Sequence, residues 1–333
     1  MKAKILKALR EVGDGYLSGA VLCEKFGVSR QAIWKNIATL KEIGYEFESV
    51  SNKGYKLIFV PDTLYGPEIE SRLPEASFCK KVISFDTTDS TNLQAKKAAE
   101  LGEPEGTIVV ADEQTAGRGR RGRDWDSVHG TGIYMSILLR PQTDPDKVSC
   151  LTLLAALAVS DVLREDCGVQ VQIKWPNDIV IGGKKLCGIL TEMSSEEGYI
   201  NRVVVGIGIN ANMESFPEEL QSKATSVFLE TGQKIDRAGL TAAVAERFGG
   251  YYLTYMKNRS FREFLEPYND RLVNRDKEVK IYYGMIESAK PEEIETGIAR
   301  GIDENGALLV EVDGQVREVV SGEVSVRGVM DYV

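Results

Sequence analysis

The sequence predicts a multidomain α+β protein: an N-terminal winged helix-turn-helix, a central mixed sheet carrying helices, and a small C-terminal β barrel. Three observations carry that expectation. The charge of −9 over 333 residues is divided unevenly, with residues 1–60 at +4 and the remainder at −13. Two helical patterns meet at Gly27-Val28-Ser29, the spacing of a helix-turn-helix. Beyond about residue 275, short strand patterns alternate with DENG and DGQ turns. A chain of this length, 43% hydrophobic, fills two or three domains and buries a substantial core.

Composition narrows the function. The opening stretch MKAKILKALREVGDGYLSG scatters charge at helical spacing and offers no apolar run for a signal peptide. The longest apolar stretch, CLTLLAALAV at 150–159, is too short to span a bilayer. A cytoplasmic protein with no membrane partner is therefore expected. Cys23, Cys79, Cys150, Cys167 and Cys187 are odd in number and form no CxxC, which argues against a disulfide framework or a zinc knuckle. The single histidine, His129, leaves no Ser-His-Asp or multi-histidine metal chemistry, and its HGTG setting reads as a turn.

The first domain is placed at 1–62. Val21, Leu22 and Phe26 form the apolar side of one helix and Ile33, Ile37 and Leu40 that of the next. Ser29 is placed to N-cap the second helix, whose opposite face presents Arg30, Gln31, Trp34 and Lys35 where a recognition helix meets base edges. The segment YEFESVSNKGYKLIFV reads as two strands joined through Ser51-Asn52-Lys53-Gly54, a wing with Lys53 at its tip. The local positive balance favours DNA as partner, although such units also serve as protein-protein modules. One winged unit offers limited contact area, so DNA binding would call for a dimer.

A turn-rich linker at about 61–80 enters a central domain spanning 63–274. Strands are expected at 82–86, 106–112, 132–140, 170–175, about 186–194 and 201–210, with helices at 90–101, 147–166, near 236–257 and at 260–272. The loop 113–131 holds GRGRRGR at 117–123. Its glycines satisfy G-x-G-x-x-G, but a strand rather than a helix follows, so a dinucleotide-binding turn is not expected. Two readings remain: an Arg-Gly nucleic-acid patch, or a mobile loop closing over an anionic intermediate such as an adenylate, with glycines for close approach and guanidiniums for phosphate. Further on, KWPNDIVIGGKKLCGIL at 174–190 places Lys185 and Gly188 on a strand, and GIGIN at 206–210 bares backbone on one strand face.

DSTN at 89–92, GRGRRGR followed by Trp125, KWPND at 174–178, KKLCGIL at 184–190 and GIGIN at 206–210, in this order, resemble the bifunctional biotin protein ligases that also repress the biotin operon. The resemblance covers essentially the whole chain. It implies ATP-dependent formation of biotinyl-5′-AMP with release of pyrophosphate, then transfer of biotin to one lysine of a biotin carboxyl carrier domain. It also implies repression at operator DNA by a homodimer that biotinyl-5′-AMP promotes.

The same resemblance assigns roles. Ser90, Thr91, Asn92 and Gln114 would hold the neutral ring of biotin, with Gly188, Gly206 and Gly208 about it as backbone. Lys185 would bridge the carboxylate and the α-phosphate, Arg118, Gly119 and Arg120 would close over biotin and the adenylate, and Arg121 and Arg123 would hold phosphates. Trp125 would form an apolar lid, Asn210 contact the nucleotide, and Asp178 orient the acceptor lysine. Magnesium is expected with ATP, liganded by phosphate and water rather than by a protein metal motif. The C-terminal piece, 275–333, becomes an SH3-like domain assisting ATP and acceptor binding. Plainer readings stay open: Lys185 as an ordinary strand lysine, Asp178 as a tie for the Pro176-Asn177 turn, the glycines as a sheet bend. So do two alternatives for the whole: a ligand-sensing regulator without ligase activity, and a lipoate ligase.

Overall fold

The structure, a computed structural model, describes residues 1–196, 199–283, 294–321 and 324–328. In the N-terminal domain α1 (Lys2–Val12) buries Ile5, Leu6 and Leu9 against Leu22, Ile33, Ile37 and Leu40. α2 (Gly19–Phe26) and α3 (Arg30–Glu42) each start at a serine cap: the Ser18 hydroxyl accepts from the Val21 N–H and that of Ser29 from the Ala32 N–H, both at 3.2 Å. Gly27, at φ 65°, ends α2 in the left-handed geometry that glycine allows. β1 (Glu46–Val50) and β2 (Gly54–Phe59) pair antiparallel as the wing. The strand leaving its turn needs glycine, because a Cβ on Gly54 would lie 2.1 Å from the Leu17 carbonyl oxygen.

The linker contains α4 (Gly66–Arg72). The central domain follows with β3 (Lys81–Thr88), α5 (Thr91–Glu100), β4 (Thr107–Gln114), β5 (Ile133–Leu139), α6 (Ser149–Asp166), β6 (Gln172–Lys174), β7 (Asp178–Ile181), β8 (Lys184–Glu196), β9 (Tyr199–Ile209), α7 (Val227–Thr231), α8 (Arg237–Asn258) and α9 (Arg262–Asn269). The seven strands lie in the order β3-β4-β5-β9-β8-β7-β6, with β3 and β4 parallel and every other pair antiparallel. Strand alternation divides their apolar residues between two faces. Val109, Leu138 and Val204 pack with Ala95 of α5, whereas Ile108, Ile137 and Val205 join the large core that holds α6 and α8. CLTLLAALAV is buried core helix, and no helix among the described residues is long and apolar enough to cross a membrane.

Three expectations shift, and one strand was not expected. The apolar run after KWPND is the strand β7, paired Asp178↔Gly188 and Ile179↔Cys187. The strand expected over 170–175 shortens to Gln172–Lys174, since Pro176 has no N–H for the ladder. The loop expected from 113 starts later, because Glu113 and Gln114 remain in register with Thr87 and Thr88. The helix expected to 272 ends at Asn269, whose side chain turns to accept from the Ile302 N–H at 2.8 Å.

At the C-terminal end β10 (Glu278–Tyr283), β11 (Ile294–Ile302), β12 (Leu308–Val312), β13 (Gln315–Val319) and β14 (Val324–Gly328) form an antiparallel sheet in the order β13-β12-β11-β10-β14. Residues 322–323 and 329 of the strand-rich segment VREVVSGEVSVRGV lie outside the described residues.

Two ionic nodes join the domains. The fully buried carboxylate of Glu68 on α4 accepts from Arg10 of α1, from the Tyr45 hydroxyl at 2.9 Å and from Arg72 at 2.9 Å. Arg237, also fully buried, donates to Asp62 at 3.0 Å, to Asp112 of β4 at 2.7 Å, and to the carbonyls of Asp62 and Gly132. The segment expected as a linker is therefore packed structure.

Candidate active site and DNA face

Two clefts meet at Lys185. The first, with about 450 Å³ of empty space, lies between the start of α5 and the face of β8 and β9. DSTN turns into α5 because the Asp89 carboxylate accepts from the Ser90 N–H at 2.6 Å and from Gln94 at 2.7 Å. Ser90, Thr91 and Asn92 are thereby buried at one end of the cleft. Gln114, at the end of β4, accepts from the Thr91 N–H at 2.9 Å and donates to the Ser127 hydroxyl at 2.9 Å. Ser136, from the middle of β5, lies 2.8 Å from the Thr91 hydroxyl and 2.6 Å from Asn92 Oδ1. Asn92 Nδ2 in turn donates to Glu192 at 2.7 Å, which Lys96 also meets at 2.7 Å. Burial pushes the Glu192 carboxyl up, but the hydrogen bonds of Lys96 and Asn92 and the charges of Lys96 and Arg118 outweigh it and hold the group below its ordinary range.

Three glycines leave much of the cleft floor as bare backbone, with Leu190 at one end. Gly188 and Gly208 are directly paired across β8 and β9, and Leu190 pairs with Gly206. The Trp125 indole lies on this floor: a Cβ on Gly208 would come within 2.6 Å of its ring, and one on Gly188 within 2.7 Å. On Gly206 a Cβ would lie 2.2 Å from Asn92 Oδ1.

The second cleft, about 780 Å³, is cationic. Arg120, Arg121, Arg123, Lys174 and Lys185 line it beside Asp124 and Asp178, and Val326 of β14 closes one side. Lys185 Nζ is 2.7 Å from Asp178 Oδ1 and 5.3 Å from the centroid of the Trp125 ring. Arg120 donates to Asn177 Oδ1 at 2.9 Å, and Asn177 donates to the Ile189 carbonyl at 3.1 Å. The arginine loop is a closed hairpin, with the Gly119 N–H donating to the Arg123 carbonyl at 2.7 Å and Arg121 in the left-handed region at φ 58°.

The structure thus brings Ser90, Thr91, Asn92, Gln114, Arg118, Gly119, Arg120, Trp125, Lys185, Gly188, Gly206 and Gly208 to the first cleft, and Arg121, Arg123 and Asp178 to the second. Trp125 lines both, as do Gly119, Arg120, Asn177 and Lys185. Asn210 lines neither: its amide donates to the Thr225 carbonyl at 3.0 Å and the Lys185 carbonyl at 3.4 Å, bracing the strand that carries Lys185. Several contributors were not nominated from sequence, Ser136, Glu192 and Asn177 among them. Ser136 is the polar residue of IYMSILL, Glu192 an acidic residue within β8, and Asn177 directly precedes the nominated Asp178.

On the N-terminal domain Arg30, Gln31, Trp34 and Lys35 are all exposed on α3, Trp34 at 63%. Exposed Lys53 at the wing tip holds its Nζ 5.5 Å from the Tyr16 ring. His129 is outside both clefts in an exposed pair with Asp86 at 3.0 Å, which raises its pKa.

Comparison with known proteins agrees with this division. Residues 84–210 match the Biotin/lipoate A/B protein ligase family, residues 2–56 the HTH domain, and residues 287–327 the Biotin protein ligase C terminal domain. The chain is 38% identical over 328 residues to the bifunctional ligase/repressor BirA of Bacillus subtilis, covering 97% of this chain and 98% of that protein. It is 34% identical over 228 residues to the biotin--[acetyl-CoA-carboxylase] ligase of Paracoccus denitrificans, covering 67% of this chain and 91% of that one. Among solved structures, the biotin protein ligase from Aquifex aeolicus in complex with biotin and ATP matches with a TM-score of 0.65 and 34% identity, covering 75% of this chain and 99% of that one.

Proposed function

The chain belongs to the bifunctional ligase/repressors of the biotin/lipoate A/B protein ligase family, and from that membership we propose how its two clefts share one reaction. It is an ATP-dependent biotin protein ligase with a DNA-binding repressor domain. The observation that carries the proposal is the place of Lys185, at the junction of a cleft of short neutral groups and a cleft of arginines.

The neutral ureido ring of biotin binds among Ser90, Thr91, Asn92 and Gln114, and its tail runs along Gly206, Gly208 and Gly188 toward Lys185. The triphosphate enters the second cleft, where Arg121 and Arg123 hold phosphate. A biotin carboxylate oxygen attacks the α-phosphorus; that P–O bond forms, the α–β anhydride bond breaks, and pyrophosphate leaves with the electron pair. Two anions meet at this step. Lys185, with Arg118 and Arg120, offsets their repulsion in a site where preorganised charge acts strongly. The donor set of the second cleft suits phosphate better than a bare cation, so magnesium would arrive on ATP, ligated by phosphate oxygens and water.

Gly119 closes over the adenylate with its neighbours, and Trp125 excludes the water that would hydrolyse it. The acceptor is a lysine of a biotin carboxyl carrier domain. Its amine attacks the acyl carbon, the C–N bond forms, AMP departs, and Asp178 orients the amine and draws off its proton. Asn210 acts at one remove, through the Lys185 strand.

The repressor reading uses Arg30, Gln31, Trp34, Lys35 and Lys53 at operator DNA, as a homodimer whose assembly biotinyl-5′-AMP promotes. That places its work in the cytoplasm. We also propose domain limits at 62 and 274, and closure of the C-terminal sheet as an SH3-like barrel. Incorporation of biotin into a purified carrier domain, with ATP and magnesium, tests the ligase. Lys185→Ala is expected to slow it on the order of 10²- to 10³-fold. No incorporation by the intact protein would overturn the reading.

A further inference from the structure

Besides Val326 at the second cleft, the C-terminal sheet meets the active-site region through a turn. Asp303 accepts from the N–H groups of Asn305 and Ala307, both at 2.9 Å, and so shapes the turn between β11 and β12. At its apex the Gly306 carbonyl accepts from the indole N–H of Trp175 at 3.0 Å, and Trp175 is only 3% exposed. The Asn305 side chain accepts from Lys147 at 2.6 Å. Gly306 has φ 81°, and a Cβ there would lie 2.6 Å from Leu153 Cδ1. Leu153 is buried in the α6 core and has little room to yield.

Trp175 begins the segment that serves both halves of the site. Two residues on, Asn177 accepts from Arg120 and holds the Ile189 carbonyl; three residues on, Asp178 pairs with Lys185. We propose that Gly306 and Trp175 are positioning residues for adenylation: the 303–306 turn seats the Trp175 indole, and through it fixes Asn177 and Asp178 against Arg120 and Lys185. This gives the C-terminal sheet a mechanical share in the chemistry, and it rests on the ligase reading above.

Gly314 supplies the matched control. It lies in another turn of the same sheet, at φ 77°, and a Cβ there meets nothing within 4 Å. Gly306→Ala and Gly314→Ala therefore carry a similar backbone penalty, but only the first strikes the α6 core. Trp175→Phe removes the indole donor while leaving an aromatic ring.

The test is the single-turnover rate of biotinyl-adenylate formation by the full chain, with biotin binding titrated by calorimetry on the same samples. Gly306→Ala and Trp175→Phe are expected to lower the rate on the order of tenfold, with full biotin stoichiometry retained. Gly314→Ala should stay within about twofold of the parent, and the double variant Gly306→Ala/Trp175→Phe should be no slower than the slower single one. Equal rates for the two glycine variants, an unaffected Trp175→Phe, or a rate loss that only tracks lost biotin stoichiometry would each overturn the proposal. If the parent forms no adenylate, the ligase reading itself fails.

Discussion

Between Gly206 and Asn92 there is no space for a methyl group. A Cβ 2.2 Å from Asn92 Oδ1 must push that amide off its partners Ser136 and Glu192. Gly206→Ala should therefore weaken biotin binding by about tenfold or more, as expected when buried hydrogen bonds are left unmade; calorimetry would read it. Glu192 yields a pH prediction. Its carboxyl is held below the ordinary value of 4.5, so its contribution to stability is present above that value and fades as pH falls through the lower folded one. Urea unfolding of the parent and Glu192→Gln should differ at pH 7 and converge in acid; a gap that widened in acid would contradict the assignment. Lys185, the arginines and the glycines were legible because the motif carries each of them. Ser136 and Glu192 were not, because what ties them to the cleft is the Asn92 amide between them, supplied by a different element.

At the scale of elements, the proposed repressor reading gives α3 and the wing separable contributions to DNA binding. Lys53, at a turn tip, suits phosphate, whereas Arg30 and Gln31 on the first turn of α3 suit base edges. Lys53→Ala should weaken binding almost equally for all sequences and lower the salt dependence by about one ion. Arg30→Ala should instead relax preference at one base position by about 1–3 kcal/mol. Fluorescence titrations against operator and scrambled duplexes, at several salt concentrations, separate the two. The α2-α3 pair was readable because Ser18, Gly27 and Ser29 act within a turn of themselves. The strand β7 was hidden: it has four residues, and its identity depends on pairing with β6 and β8. The seat of Trp125 was hidden for the same reason, since Gly188 and Gly208 come together only through strand register.

For the molecule as a whole, uneven charge and composition set expected domain limits, but not how firmly the parts are joined. Glu68 looks like an ordinary charge on a short helix in the sequence. In the fold it is a buried carboxylate shared by Arg10, Tyr45 and Arg72, and Arg237 clamps Asp62 to Asp112 close behind it. Breaking one partner of such a node strands the remaining charges, so it resists opening. A recognition domain on a slack tether would accept half-sites at several separations; one seated on Glu68 accepts few. If the proposed homodimer pairs through its ligase bodies, it would hold its α3 helices a set distance apart along the duplex. Inserting about five base pairs between the half-sites, half a helical turn, would turn the second onto the far side of the DNA. Gel-shift affinity should then fall to that of a lone half-site and recover in part at about ten inserted pairs only if the bodies can stretch, so the shape of that spacing series measures how rigidly the ligase carries its DNA reader.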